Sequence, residues 1–178
     1  MKKIVGFLIL LLFSSCVEKQ SVQEGFVFTS SGAIKVKSLK FVNDTVFTTY
    51  NHYFDSQSDI YYYLLNGTEI DKINFYLHAV KNKDYQTEYI NNNAKDGFEY
   101  QFEFLDNKER IYVYNIDNEE IQLLNDFSEY LLQIDGFKEE ILYHKKSNID
   151  FGNLNQFYPP EPEIDSILLY QEDILFPQ

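Results

Sequence analysis

Apolar and polar residues alternate most cleanly at Phe98, Tyr100, Phe102 and Phe104, with Glu99, Gln101 and Glu103 between them. A period of two is the signature of a half-buried strand. Asp106-Asn107-Lys108 turns that strand into a second one over Arg110–Asn115. Upstream, Val46–Phe54 pairs with Ile60–Leu65 across residues 55–58, residues 33–42 form a strand ending at Asn43-Asp44, and residues 26–29 offer one more. In two places the period lengthens. Ile70, Ile73, Leu77 and Val80 share one helical face, and Leu124, Phe127, Leu131 and Ile134 share another.

Each helix follows a strand with the same start signal. Residues 60–74 and 111–125 match at an offset of 51, with six of 15 positions identical. Asn66 and Asp117 are placed to cap free backbone N–H groups, and Glu69 and Glu120 sit three residues on to reach back to the caps. Leu65 with Ile70, and Ile116 with Ile121, can close hydrophobic staples. Gly136 is expected to end the second helix in a left-handed turn. Lys81 and Lys83 suit the carbonyl end of the first.

The expected fold class is therefore α+β. A single antiparallel sheet is packed by two helices on one face and built from a β-β-α internal repeat (about 45–83 and 98–136) with extra N-terminal strands. The α+β domain is expected over 25–146. All four prolines lie at 159–177, which sets 147–178 apart as a proline-containing C-terminal segment. That segment either straps over its own domain or is presented to a partner. The sheet face away from the helices is then either open or covered by it.

The chain begins differently. Lys2 and Lys3 precede an apolar run, Ile4–Phe13, then Ser14-Ser15 and Cys16. Charged head, apolar middle and small-residue exit make an export signal. The run is half the ~20 residues a membrane-spanning helix needs. Leu12-Phe13-Ser14-Ser15-Cys16 resembles the lipobox of bacterial lipoproteins, with Phe13 standing where that family usually has Leu. The resemblance covers only the first 16 residues. It implies a signal peptide over 1–15, removal of that peptide before Cys16, diacylglyceryl and acyl (palmitate-type) lipid on Cys16, and a lipidated tether over 16–24. Val17, rather than Asp, implies the outer membrane by the sorting habit of such proteins. Val17-Glu18-Lys19-Gln20 lacks the acidic run associated with surface display, so the periplasmic face is the expected side. Cys16 is the only cysteine, so it has no disulfide partner within the chain.

Charge narrows the partners. Loss of the leader deletes Lys2 and Lys3 and no acid, taking the net charge from −13 to −15. That balance disfavours nucleic acid, whose phosphates need Lys and Arg, and leaves membrane attachment to the lipid. With 15 Tyr, 16 Phe and no Trp, and with Asn, Ile and Lys common and Ala scarce, the composition suggests an AT-rich, Bacteroidetes-type source.

Four tyrosines are the candidate binding residues. If Ile60 and Ile111 face the helices, then Tyr61, Tyr63, Tyr112 and Tyr114 face away and could form an aromatic platform for an envelope protein or glycan. The alternatives are that the C-terminal segment covers them, or that the facing is inverted and they belong to the core. His52, His78 and His144 show no metal-ligand spacing, and no serine-nucleophile motif is present. No cofactor, metal or catalytic residue is therefore expected. Asp117, Glu119 and Glu120 cluster, as do Glu139 and Glu140, and a hydrolase using distant carboxylates stays open. The leading expectation is a non-catalytic binding protein of the envelope. An immunity or inhibitor protein against a periplasmic toxin or hydrolase, and a carboxylate-dependent hydrolase, are the alternatives.

Overall fold

Alternating strands need a covering layer, and the two amphipathic helices supply it. The computed structural model describes residues 21–31, 35–52, 59–94, 97–143 and 149–152. The leader, Cys16, His144 and the proline-containing end lie outside them. The described elements run β1 (Val22–Ser31), β2 (Lys35–Asn43), β3 (Thr45–His52), β4 (Ile60–Leu64), α1 (Gly67–Lys81), β5 (Glu88–Ile90), β6 (Glu99–Phe104), β7 (Arg110–Tyr114), α2 (Gln122–Gly136) and β8 (Ile141–Leu142). Among these residues no helix is long and apolar enough to cross a membrane.

One eight-stranded sheet has the order β5-β7-β6-β1-β2-β3-β4-β8. The N-terminal hairpin β1–β2 is its centre. Hairpins β3–β4 and β6–β7 extend it on either side. Each helix then carries the chain to the far edge: α1 leads to β5, which pairs with β7, and α2 leads to β8, which pairs with β4. The expectation of an antiparallel sheet needs correction at one edge. β5 runs parallel to β7, because the α1 crossover delivers it to the opposite side of the sheet rather than beside its predecessor.

Both helices lie on one face. Phe104, Phe26, Phe41, Val46 and Tyr63 form a row across five strands and join one core with Ile70, Ile73, Leu77 and Val80 of α1 and Leu124, Phe127, Leu131 and Ile134 of α2. Phe26 stacks on Phe41 with centroids 4.4 Å apart, and Phe127 stacks on both Phe102 and Tyr76. Burial of each such ring is worth roughly 1.5–3 kcal/mol.

The other face is covered as well. Residues 149–152 lie on it: the Asp150 carbonyl accepts from Lys40 Nζ at 2.5 Å, Phe151 is buried, and Gly152 rests on Glu103. Gly152 has φ +73°, and a Cβ there would come within 2.2 Å of Glu103 Oε2, so the strap needs glycine at that point. Thr29 and Ser38 are buried on this face and share a hydrogen bond of 3.0 Å. The half-buried reading of β6 is thereby corrected. Glu99 and Gln101 are buried too, and Tyr112 Oη donates to Glu99 Oε2 at 2.7 Å.

The two helix starts differ. Asn66 caps α1, with Glu69 N donating to Asn66 Oδ1 and Asn66 N donating to Glu69 Oε2. The expected Asp117 cap of α2 does not form. That helix begins five residues later behind Ile121, whose N–H bonds Asn118, and no side chain caps it. Glu120 instead accepts from Tyr89 Oη. Ile121 is fully buried. Its transfer from water is worth about 1.5–3 kcal/mol, against about 1 for a cap, and packing decides where the helix starts. Gly136 is the last residue of α2 and has no positive φ, which corrects the left-handed turn. Lys81 lies in the last turn of α1, as expected, and pairs with Glu24 and Asp106, while Lys83 lies past the helix end and donates to the Glu120 carbonyl. β1 already begins at Val22, inside the span read as tether.

Candidate functional site

The clearest concavity lies where β6 and β7 meet the first turns of α2. Phe98 and Tyr100 share the helix-facing side of the β6 segment, their ring centroids 5.6 Å apart. α2 turns Gln122, Asn125, Ser128 and Glu129 toward them, as spacings of three and four dictate. Asn115, at φ 46°, turns the chain out of β7 and donates its N–H to the Phe98 carbonyl at 2.9 Å. Gly97 permits this approach, since a Cβ there would lie 2.5 Å from Asn115 Cβ. The result is a cavity of about 320 Å³, at the small end of ligand pockets.

Its walls are half apolar and half polar. Phe98, 45 % exposed, stands at the mouth, and Tyr100 and Val113 are buried beneath. Tyr100 Oη donates to Asn125 Oδ1 at 2.5 Å, Asn125 Nδ2 donates to Asp117 Oδ1 at 3.4 Å, and Ser128 Oγ donates to the Asn125 carbonyl at 2.9 Å. Burial pushes the Tyr100 phenol well above its ordinary range, aided by Tyr85 and Asp117 nearby, so it is a fixed hydrogen-bond donor rather than a base. Asp117 and Glu129 are the two carboxylates of the cleft, and both are solvent-exposed. Among the described residues that line it there is no Lys, Arg or His.

A second polar cluster sits on the helix-facing side near the β4–β8 edge. Lys37 of β2 pairs with Asp135 of α2 and donates to Glu140 Oε1 at 2.9 Å. Tyr50 Oη and Thr48 Oγ1 donate to the same carboxylate at 3.0 and 3.2 Å, and the ammonium lies 4.6 Å from the Tyr50 ring centre. Burial works against the charge on Lys37, but its hydrogen bonds to Asp135, Tyr50 and Glu140 prevail and hold its pKa far above the ordinary value. Burial also opposes ionised Glu140, and Lys37, Tyr50 and Thr48 overcome it, leaving its pKa lowered. At Asp135 burial prevails over Lys37, and the pKa is raised. The Tyr63 hydroxyl and Asp135 Oδ1 are closed off from solvent without a well-formed hydrogen bond. A permanently protonated lysine is no nucleophile or base; the cluster clamps β2, β3, α2 and the approach to β8 together.

The four tyrosines do not form one platform. Tyr112 and Tyr114 do lie on the face away from the helices, but both are buried there with Val36 and packed by Ile90 and Ala94. Tyr63 points into the core beneath the helices, and Tyr61, two residues earlier, shares that side half-buried. Facing in β4 is inverted relative to β7, where Ile111 and Val113 are the core residues. Half-buried aromatic character away from the helices is supplied by other residues: Phe47 and Tyr62 pair across β3–β4, and the Tyr143 ring meets both. A larger groove of about 580 Å³ includes Lys81, Lys83 and Arg110, but each cation is engaged, Arg110 with Glu88 at 3.2 Å. His78 is exposed on α1 and meets Asn82, and the side chain of His52 is outside the description.

The cleft was missed by sequence reasoning because its parts come from three segments. Asp117 was assigned to a cap and Phe98 to the apolar side of a half-buried strand, and Asn125 and Ser128 were given no role in a site. The signal available was Phe98 itself, an apolar residue at the strand end beyond the reach of the α2 stripe. In comparison with known proteins, no family model, curated protein or solved structure matches the chain.

Proposed function

We propose that this chain is a lipid-anchored protein of the cell envelope, held on the periplasmic face of the outer membrane, whose domain binds a partner without chemical turnover. The location rests on Leu12–Cys16 behind a short apolar run. The binding reading rests on one observation: an aromatic-walled cleft in which Phe98 is left 45 % exposed beside Asp117 and Glu129. A lone exposed ring is ordinary on a protein surface, but one at the mouth of a polar-lined cavity is the usual form of a recognition site.

An immunity or inhibitor role is a narrower form of the same reading. The net charge of −15 after loss of the leader favours a basic target. A carboxylate-dependent hydrolase draws on the presence of Asp117 and Glu129 in one cleft. Both stand in water, whereas an acid catalyst is usually set in apolar surroundings, and this favours binding. We also infer a duplicated β-β-α unit as the origin of the body. Its support is the residue match at an offset of 51 and the placing of β3–β4–α1 and β6–β7–α2 on either side of β1–β2.

The test joins anchoring and binding. Full-length protein is expected in the membrane fraction and should retain an envelope component that the double variant Phe98→Ala, Glu129→Gln does not. Cys16→Ser should move the protein out of that fraction. Unchanged partitioning of Cys16→Ser contradicts the anchor, and unchanged retention by the double variant contradicts the cleft.

A further inference from the structure

We infer that the cleft receives a guanidinium or ammonium group on an apolar stem, offered by a basic side chain of a partner protein; this rests on the binding reading above. Three independent features converge. The first is the charge of the lining: Asp117 and Glu129 face no cation among the described lining residues. An anionic ligand would enter against two like charges, while a cation would gain from both.

The second is the direction of the hydrogen bonds. Tyr100 and Ser128 each spend their only hydroxyl proton inside the wall, on Asn125 Oδ1 and the Asn125 carbonyl. Asn125 Nδ2 is turned onto Asp117, and Gln122 Nε2 donates to Asp126 Oδ1 at 2.8 Å. One N–H of each of those amides and the Asn115 side-chain amide remain as donors, but every charged group of the described lining, Asp117 and Glu129, is an acceptor. A complementary ligand is rich in donors and poor in acceptors. Guanidinium, with five N–H donors and no acceptor, and ammonium, with three, meet that requirement.

The third is shape. Phe98, Tyr100, Val113 and Ile116 give the cavity apolar walls, against which a methylene stem packs while its head reaches the mouth. The exposed Phe98 ring adds a face for a planar cation. Glu119 and Asp126 are exposed on the same loop and helix, so the attraction extends beyond the cavity itself. That extended field suits a basic protein surface better than a single small amine.

The test uses the full-length protein in detergent, titrated with three probes: a capped Gly-Arg-Gly peptide, the same peptide with neutral citrulline for arginine, and glucosamine. Resonances of the Phe98 ring report binding at the cleft. The arginine peptide should shift them, and the citrulline peptide should bind roughly fivefold more weakly or worse. Glu129→Gln and Asp117→Asn should each weaken the arginine peptide about threefold, and salt near 0.5 M should weaken it further. Glu129 is exposed on α2, so its variant keeps the fold and isolates the charge. Equal affinity for the arginine and citrulline peptides, or no response to Glu129→Gln, overturns the inference. Glucosamine binding more tightly than the arginine peptide overturns it in favour of a glycan and leaves the cleft a binding site. If no probe shifts Phe98, and the double variant still retains the envelope component, the binding reading of the cleft falls with it.

Discussion

Lys37 shows how one residue can order its surroundings. It brings a single cation to two carboxylates that respond to pH in opposite directions. Glu140 has a lowered pKa in the fold, so its ionised form is favoured there. It contributes stability above its unfolded value, and that contribution disappears as pH falls through the lowered one. Asp135 has a raised pKa because burial prevails, so its ionisation costs stability as pH rises through the interval above its unfolded value. Comparison of wild type with Glu140→Gln isolates the first effect. Denaturant unfolding between about pH 7 and pH 2 should show wild type the more stable above about pH 5, with the gap closing as the solution is made more acid. A gap independent of pH would mean that the Glu140 side chain stabilises by packing rather than by charge. The same logic of burial explains Glu99, which tolerates its buried place because Tyr112 donates to it.

At the scale of elements, strands and helices were legible in the sequence where a local pattern agreed with the tertiary environment. The stripes Ile70–Val80 and Leu124–Ile134 are buried as their spacing predicts, and the Asn66–Glu69 box forms. Local and tertiary demands conflict at Asp117, where burial of Ile121 moves the helix start and frees the carboxylate for the cleft. The alternation of β6 gave its helix-facing side correctly, but nothing local to 98–104 reveals that Glu99 and Gln101 on the other side are buried too. β5 and β8 have three and two residues, too few for any periodicity. The facing of β4 depends on its register with β3, Val46 opposite Tyr63, which the residues of β4 do not encode alone. One comparison measures the asymmetry of the helix starts. Asn66→Ala should destabilise the domain by about 1 kcal/mol in denaturant titrations, while Asp117→Ala should change stability by less than about half that. Equal losses would restore Asp117 to a capping role.

For the whole molecule, the arrangement is a sheet closed on both faces, a clamp near one edge and a cleft toward the other. Helix packing accounts for one face, and the Asp150–Gly152 strap contributes to the other. Neither the clamp nor the strap offers a reacting group, and the cleft offers aromatic walls with carboxylates and, among the described residues, no cation. These features fit a tethered domain that recognises a basic partner. The tether is the premise on which the functional setting depends, and the mass of the mature amino-terminal peptide tests it most directly. Protein purified from a lipoprotein-processing bacterial host should yield a peptide beginning at Cys16 and heavier by a diacylglyceryl group and a further acyl chain. A peptide that retains residues 1–15, or one that carries Cys16 as a free thiol, would contradict the anchor and with it the envelope setting of the cleft.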